Sequence, residues 1–259
     1  MTAISTELLV ERIVGLDRPL LVGLDVDGTL SPIVRDPDSA VIPEPTLGVL
    51  EGLAGLPSVV VALLTGRDLD SLQRMERLEG IWRAVEHGGV VLAPGEPMVE
   101  RTLSESQREA LERFREWTAK NAEGAFIEHK PQSIAVHVRG VAERDPQRAN
   151  RILAEADALA AALGLHVRRG KALREAETVP HDKGNALDEI RRRSGAASVF
   201  FAGDDITDFP AIRLASERGI GVFVRSDERR ETPAENAIVL DGVEQLGDVL
   251  RELCIRLDD

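Results

Sequence analysis

The run from Leu20 to Val34, LLVGLDVDGTLSPIV, decides the fold. Its apolar and glycine residues lead without a break into Asp25, and Asp27 follows one residue later. An apolar run that does not alternate with polar residues marks a strand covered on both faces, as in a parallel sheet. Three further segments share this form: SVVVALLTG from Ser58, SVFFAGD from Ser198 and GIGVFV from Gly219. Between them lie IPEPTLGVLEGLAGL, RDLDSLQRMERL, DKGNALDEIRRRSG and DITDFPAIRLASERG, where apolar residues recur at helical spacing and glycines offer helix ends. Strand alternating with helix predicts an α/β fold with a doubly wound parallel-sheet, Rossmann-like core.

From about residue 100 to 178 the rhythm changes. LSESQREALERFREWTAKNA reads as a helix opened by Ser104, with Gln107 completing a capping box. GAFIEHK and QSIAVHVRG read as strands, DPQRANRILAEADALAAALG as a second helix, and LHVRRG and KALREAE as two more strands. Helix, two strands, helix, two strands suits an antiparallel sheet with helices on one side. The expectation is an inserted α+β cap domain over residues 101–178 in a core made of 1–100 and 179–259.

Acidic side chains outnumber basic ones, 45 to 32, for a formal charge of −13. That charge disfavours nucleic acid and anionic lipid, and it obliges a site for an anionic substrate to carry its own positive field. No apolar stretch approaches the roughly 20 residues that span a bilayer. Glu7, Glu11 and Arg12 interrupt the apolar residues near the N-terminus, which therefore does not read as a secretory signal. The expectations are a cytoplasmic monomer without membrane or nucleic-acid partners, whose single cysteine, Cys254, packs on a C-terminal helix.

In a parallel sheet, ligands gather at the carboxyl ends of the strands near the point where strand order reverses. Asp25, Thr65 and the Gly203-Asp204-Asp205 run all fall at such ends. A lone Asp-x-Asp is more often a solvated turn, but three strand ends delivering polar groups to one edge point to a site.

These residues resemble the haloacid dehalogenase superfamily of aspartate-nucleophile phosphatases, matched in order by DVDGTL, LTGRD, HDKGNAL and GDDITD. The resemblance implies that Asp25 is a nucleophile and Asp27 a general acid and base. It places Thr65 and Lys183 on the transferred phosphoryl group, with Gly28, Gly66 and Arg67 lining the substrate site. Mg²⁺ is implied as cofactor, held by Asp25, Asp204, Asp208 and the backbone carbonyl of Asp27, with Asp208 ranked above Asp205. The chemistry agrees with this assignment: passing a phosphate dianion through an aspartyl phosphate splits one slow hydrolysis into two easier displacements. A hard cation and a lysine offset the repulsion between carboxylates and phosphate. Alternation along an extended chain is expected to put Asp27 on the same side as Asp25.

Within that superfamily the order of parts is similar to the trehalose-phosphate phosphatases. EHK at Glu128–Lys130, HVR at His137–Arg139 and Glu175 fall where that family has its ExK, HxR and further Glu. The resemblance implies that Glu128, Lys130, Glu175 and, secondarily, Arg139 bind a sugar phosphate. On the residues alone, Glu128 and Lys130 equally suit an exposed strand face, His137 suits a packed or hydrogen-bonded role, and His87 in EHGG a structural one. The chain departs from the family at Phe209, where a Glu is usual, at Thr65 for Ser, at Arg174 for an apolar residue and at Glu177 for Arg. Trehalose 6-phosphate is thus the expected substrate. The alternatives are sucrose phosphate, a mannosyl or glucosyl phosphate conjugate, or an inactive sugar-phosphate-binding relative.

Overall fold

The computed structural model describes residues 4–34, 36–98, 102–170, 172–226 and 238–258. It divides into two compact units, Met1–Pro97 with His181–Asp259, and Met98–Pro180.

The first unit opens with helix α1 (Thr6–Val14), capped by the Ser5 side chain, and strand β1 (Leu20–Leu24). Then come α2 (Glu44–Gly55), β2 (Val59–Leu64), α3 (Leu69–Met75), β3 (Trp82–Val85) and β4 (Val90–Leu92). The second unit contains α4 (Glu105–Asn121), β5 (Phe126–His129), β6 (Ser133–His137), α5 (Arg139–Ala142), α6 (Pro146–Ala162), β7 (His166–Gly170) and β8 (Leu173–Glu177). The chain returns to the first unit with α7 (Lys183–Ser194), β9 (Ser198–Gly203), α8 (Phe209–Arg218), β10 (Gly219–Val224), β11 (Ile238–Leu240) and α9 (Val243–Asp258).

The seven strands of the first unit run in the order β11-β10-β9-β1-β2-β3-β4, all parallel except the pairing of β4 with β3. All five residues of β1 are buried. Leu20, Val22 and Leu24 enter the layer that also holds Leu9, Leu50, Leu53 and Leu253, whereas Leu21 enters the opposite layer with Leu187, Ile190 and Ile212. Two covered faces are why this strand reads as a continuous apolar run. Strand order reverses at β1, with β2 on one side and β9 on the other, so the carboxyl ends of β1 and β9 flank the switch point.

In the second unit the antiparallel order is β5-β6-β8-β7, and α4 opens with the expected box: Ser104 Oγ accepts from Gln107 N while Gln107 Oε1 accepts from Ser104 N. Ile134, Val136 and Ala176 pack on one face with Phe114, Ile152 and Ala156 of the helices. The expected strand QSIAVHVRG is shorter than its sequence pattern: β6 ends at His137, and Arg139 begins the one-turn helix α5, where it is exposed. Lys171, the first residue of the expected strand KALREAE, lies outside the described residues. Among the described residues, no helix is long and apolar enough to cross a membrane.

Candidate active site

Asp25 follows β1 directly and its N–H donates to Ala202 O of β9 at 3.0 Å, so the last rung of the ladder fixes its backbone. Beyond it the chain turns back on itself. Leu30 N and Ser31 N both donate to Val26 O at 2.9 Å, and Gly28 N donates to Ser31 O at 2.7 Å. Gly28 has φ +90°, and a Cβ on it would overlap the Asp204 carboxylate. Glycine is therefore required both by the turn and by the close approach of the acid from β9.

Asp25, Asp204 and Asp208, the three carboxylates implied as metal ligands, bring oxygens within 4.8 Å of one another, all buried. The Asp27 side chain is gripped by Arg67, Nε to Oδ2 and Nη2 to Oδ1, each at 2.7 Å. Arg67 also donates from Nη2 to Pro37 O at 2.8 Å, and its N–H donates to Thr65 Oγ1 at 3.1 Å, so the end of β2 is tied to the β1 turn.

Lys183 begins α7, whose N-cap Asp182 accepts from Asn185 N. It is not a solvated helix-start lysine: it is 2% exposed and its Nζ donates at 2.6 Å to both Asp25 Oδ1 and Asp208 Oδ1. Burial alone would lower its pKa, but the charges of Asp208 and Asp25 outweigh burial and hold the ammonium above the usual lysine range. Asp208 is pushed up to about 7, by burial first and the Asp25 charge second, against the pull of Lys183. Its other oxygen accepts from Asp205 N at 2.9 Å, and a Cβ on Gly203 would collide with its carboxylate. Asp205 serves as the N-cap of the short helical turn Ile206–Asp208.

One ammonium does not neutralise three buried carboxylates. An all-oxygen donor set with this residual charge fits a hard divalent cation such as Mg²⁺.

Motif reading singled out Asp25 but missed Thr29, fully buried, whose hydroxyl donates to Asp25 Oδ2 at 3.1 Å. Asp25 is thereby oriented from both sides, by Lys183 at Oδ1 and Thr29 at Oδ2. The signal was the threonine within DGT itself. His87 and Glu86 both take left-handed backbone, φ 57° and 53°, in a turn whose amides donate to Thr65 O and Arg67 O. A Cβ on Gly66 would run into the His87 ring, so the two pack in contact.

The second unit gathers the other predicted residues on the sheet face opposite its helices. Register places Glu128, Ala135, Glu175 and Arg168 side by side across the four strands. Lys130, just past β5, has Nζ 3.0 Å from Glu175 Oε1 and 3.9 Å from Glu128 Oε1. Ser133 Oγ donates to Glu175 Oε1 at 2.6 Å, and His137 Nε2 lies 3.2 Å from Glu128 Oε2. Glu175 and Ser133 are buried, at 4% and 3% exposed, whereas the Glu128 side chain stays 43% exposed, so the connected network runs from a buried carboxylate to a half-open strand face. Burial would raise the Glu175 carboxyl, but the Lys130 charge and the Ser133 hydroxyl hold it below the usual glutamate range. Arg139, exposed at the start of α5, lies outside this hydrogen-bonded group, whereas two family departures are explained by partners: Arg174 binds Asp157 of α6 at 3.0 Å, and Glu177 accepts from Arg168 at 2.7 Å. Phe209 is half-buried, its ring 6.1 Å from that of Phe223 at an edge-on 66°.

A doubly wound sheet with aspartates at its switch point, interrupted by an antiparallel module, is the architecture of the haloacid dehalogenase superfamily. A solved trehalose-6-phosphate phosphatase of Aspergillus fumigatus superposes with a TM-score of 0.73 over 99% of both chains at 24% identity, which establishes the shared fold. The trehalose-phosphatase family profile matches residues 23–243, and the chain belongs to that family. It is 32% identical over 252 residues to the trehalose-phosphate phosphatase of Mycobacterium leprae, covering 91% of this chain and 57% of that one. An uncharacterized glycosyl hydrolase of Mycobacterium tuberculosis is 33% identical over 219 residues, 79% of this chain and 16% of the relative. The chain thus spans well under two thirds of these curated relatives.

Proposed function

We propose that this chain is a Mg²⁺-dependent phosphatase that releases phosphate from trehalose 6-phosphate through an aspartyl phosphate on Asp25. The observation that carries the reading is the Asp25 carboxylate, oriented by Lys183 and Thr29 and placed with Asp204 and Asp208 at the strand-end switch point. Family membership supports the substrate class.

In the first displacement Asp25 attacks phosphorus and the bond to the sugar oxygen breaks, that oxygen taking a proton from Asp27, which must first release one oxygen from Arg67 and bind a proton from solvent. In the second, Asp27 takes a proton from water as it attacks the aspartyl phosphate, releasing inorganic phosphate and restoring Asp25. Lys183 and the Thr65 hydroxyl stabilise charge on the transferred group, and the backbone amides around Asp27 and Gly28 are assigned as further donors to it. Asp25, Asp204, Asp208 and the Asp27 carbonyl would hold Mg²⁺, which supplies positive charge for the phosphoryl oxygens. Glu128, Lys130 and Glu175 are assigned to the sugar hydroxyls, as carboxylates accept from hydroxyls and an ammonium donates to them.

The test is phosphate release by metal-stripped protein, with and without Mg²⁺, on a panel of trehalose, sucrose, mannosyl and glucosyl phosphates. Selective, Mg²⁺-restored turnover of trehalose 6-phosphate is expected. Turnover indifferent to metal removes the cofactor assignment. A second reading, another sugar phosphate, is favoured by Phe209, which offers no acceptor where the family usually has Glu; it predicts that a different member of the panel leads.

A further inference from the structure

We infer that Ser133 is a positioning residue for sugar recognition: its hydroxyl pins one oxygen of the Glu175 carboxylate and leaves the other, Oε2, to accept from a sugar hydroxyl. The inference rests on the reading that Glu175 binds the sugar.

Both donors that reach Glu175 fall on the same atom, Oε1: Lys130 Nζ at 3.0 Å and Ser133 Oγ at 2.6 Å. The two donors do different work. Lys130 supplies charge, but on a flexible four-carbon stem that lies just past the edge strand β5 and also approaches Glu128 at 3.9 Å. A single ammonium drawn toward two carboxylates does not fix the direction of either. Ser133 is 3% exposed and opens β6, an inner strand of the sheet paired with both β5 and β8. Its side chain has one rotor and one proton, and that proton goes to Glu175. The pairing register explains the fit: Ser133 lies opposite Glu177 and Ala135 opposite Glu175, so Ser133 and Glu175 are diagonal neighbours on one face. A buried carboxylate needs fixed donors to remain ionised. Here the small rigid donor fixes it and the long charged one compensates it.

The groups facing Glu175 are Lys130 and Glu128 from the β5 side, Ser133 and His137 on β6, Glu177 on β8 and Arg168 on β7. Ser133 is the one among them whose removal takes away a donor without changing the charge. S133A should therefore lower kcat/KM for trehalose 6-phosphate by about tenfold, chiefly through KM, because a hydrogen bond to a charged group is lost. The acid limb of that kcat/KM profile should also move to higher pH, since the ionised form of Glu175 loses a partner.

The experiment compares S133A and E175A on trehalose 6-phosphate and on a small aryl phosphate, with thermal unfolding as a fold control. S133C, which keeps volume and offers only a weak S–H donor, gives the same readout should S133A melt early. The expected result is a loss confined largely to the sugar phosphate in both variants, with the shifted acid limb in the Ser133 variant. If E175A is selective while the Ser133 variant matches wild type, or loses both substrates equally, the inference is overturned and the sugar-binding reading stands. If E175A loses both substrates equally, that reading fails and the inference falls with it.

Discussion

Arg67 holds Asp27 in a two-pronged ion pair, Nε to Oδ2 and Nη2 to Oδ1 at 2.7 Å each, joining the residue proposed as general acid and base to the end of the neighbouring strand. The Asp27 side chain is 41% exposed but that of Arg67 only 12%, and Arg67 also donates to Pro37 O, so R67A should lose about 1–3 kcal/mol of stability. At temperatures where the variant is folded, kcat should also fall, because Asp27 loses its fixed orientation. D27N should lower kcat by roughly a hundredfold or more, the usual worth of a positioned proton donor. Steady-state kinetics beside thermal melts separate the two effects. A large fall in Tm with unchanged kcat would make the pair structural.

Lys183 lies between two buried carboxylates, so its removal leaves like charges facing each other without a partner. K183A should destabilise the metal-free protein by about 3–5 kcal/mol, measured by urea unfolding. Combining it with D208N should cost less than the two single losses added together, because the second change removes part of the repulsion the first exposes. Strict additivity would show that the pair is not coupled.

Glu175 carries a pH signature. Its carboxyl is held below the free value of 4.5 despite burial, so in the range between the unfolded and folded values the unfolded chain binds more protons than the native one. This contribution to stability is complete above about pH 4.5 and is lost as pH falls through the folded value. E175Q should flatten the acid side of the stability curve below that pH, and an unchanged slope in chemical denaturation would contradict it.

Metal binding should be visible without turnover. A cation that binds the native acid cluster and not the unfolded chain adds about 2.7 kcal/mol at a hundredfold excess over its Kd. Mg²⁺ should raise the Tm of the stripped protein, and D204N should abolish the rise, as Asp204 is one of the three clustered carboxylates. A rise that survives in D204N would place the ion elsewhere.

Phe209 packs edge-on against Phe223, so F209E trades an aromatic contact for a half-buried charge. It should lower Tm. If the wild-type pocket lacks an acceptor that trehalose 6-phosphate needs, kcat/KM for that substrate should nonetheless rise, while a fall on it with a gain on another sugar phosphate would support the second reading.

The sequence by itself determined the elements that local pattern controls. β1, β2, β9 and β10 are apolar on both faces because both are covered, so their runs, and the polar residues that end them, are legible as written. The Ser104 and Gln107 box was legible because both partners lie within one helical turn. β4 and β11, at three residues each, are too short for any periodicity to register. The grouping of Asp25, Asp204 and Asp208 follows the order of motifs already visible in the sequence. Tertiary structure alone decided that the Asp27 side chain meets Arg67, forty residues away in sequence. It also decided that Ser133 meets Glu175, that Arg174 meets Asp157 and that Glu177 meets Arg168. Those contacts depend on strand register and on the approach of separate elements, and one residue of slip would turn each strand side chain to the opposite face.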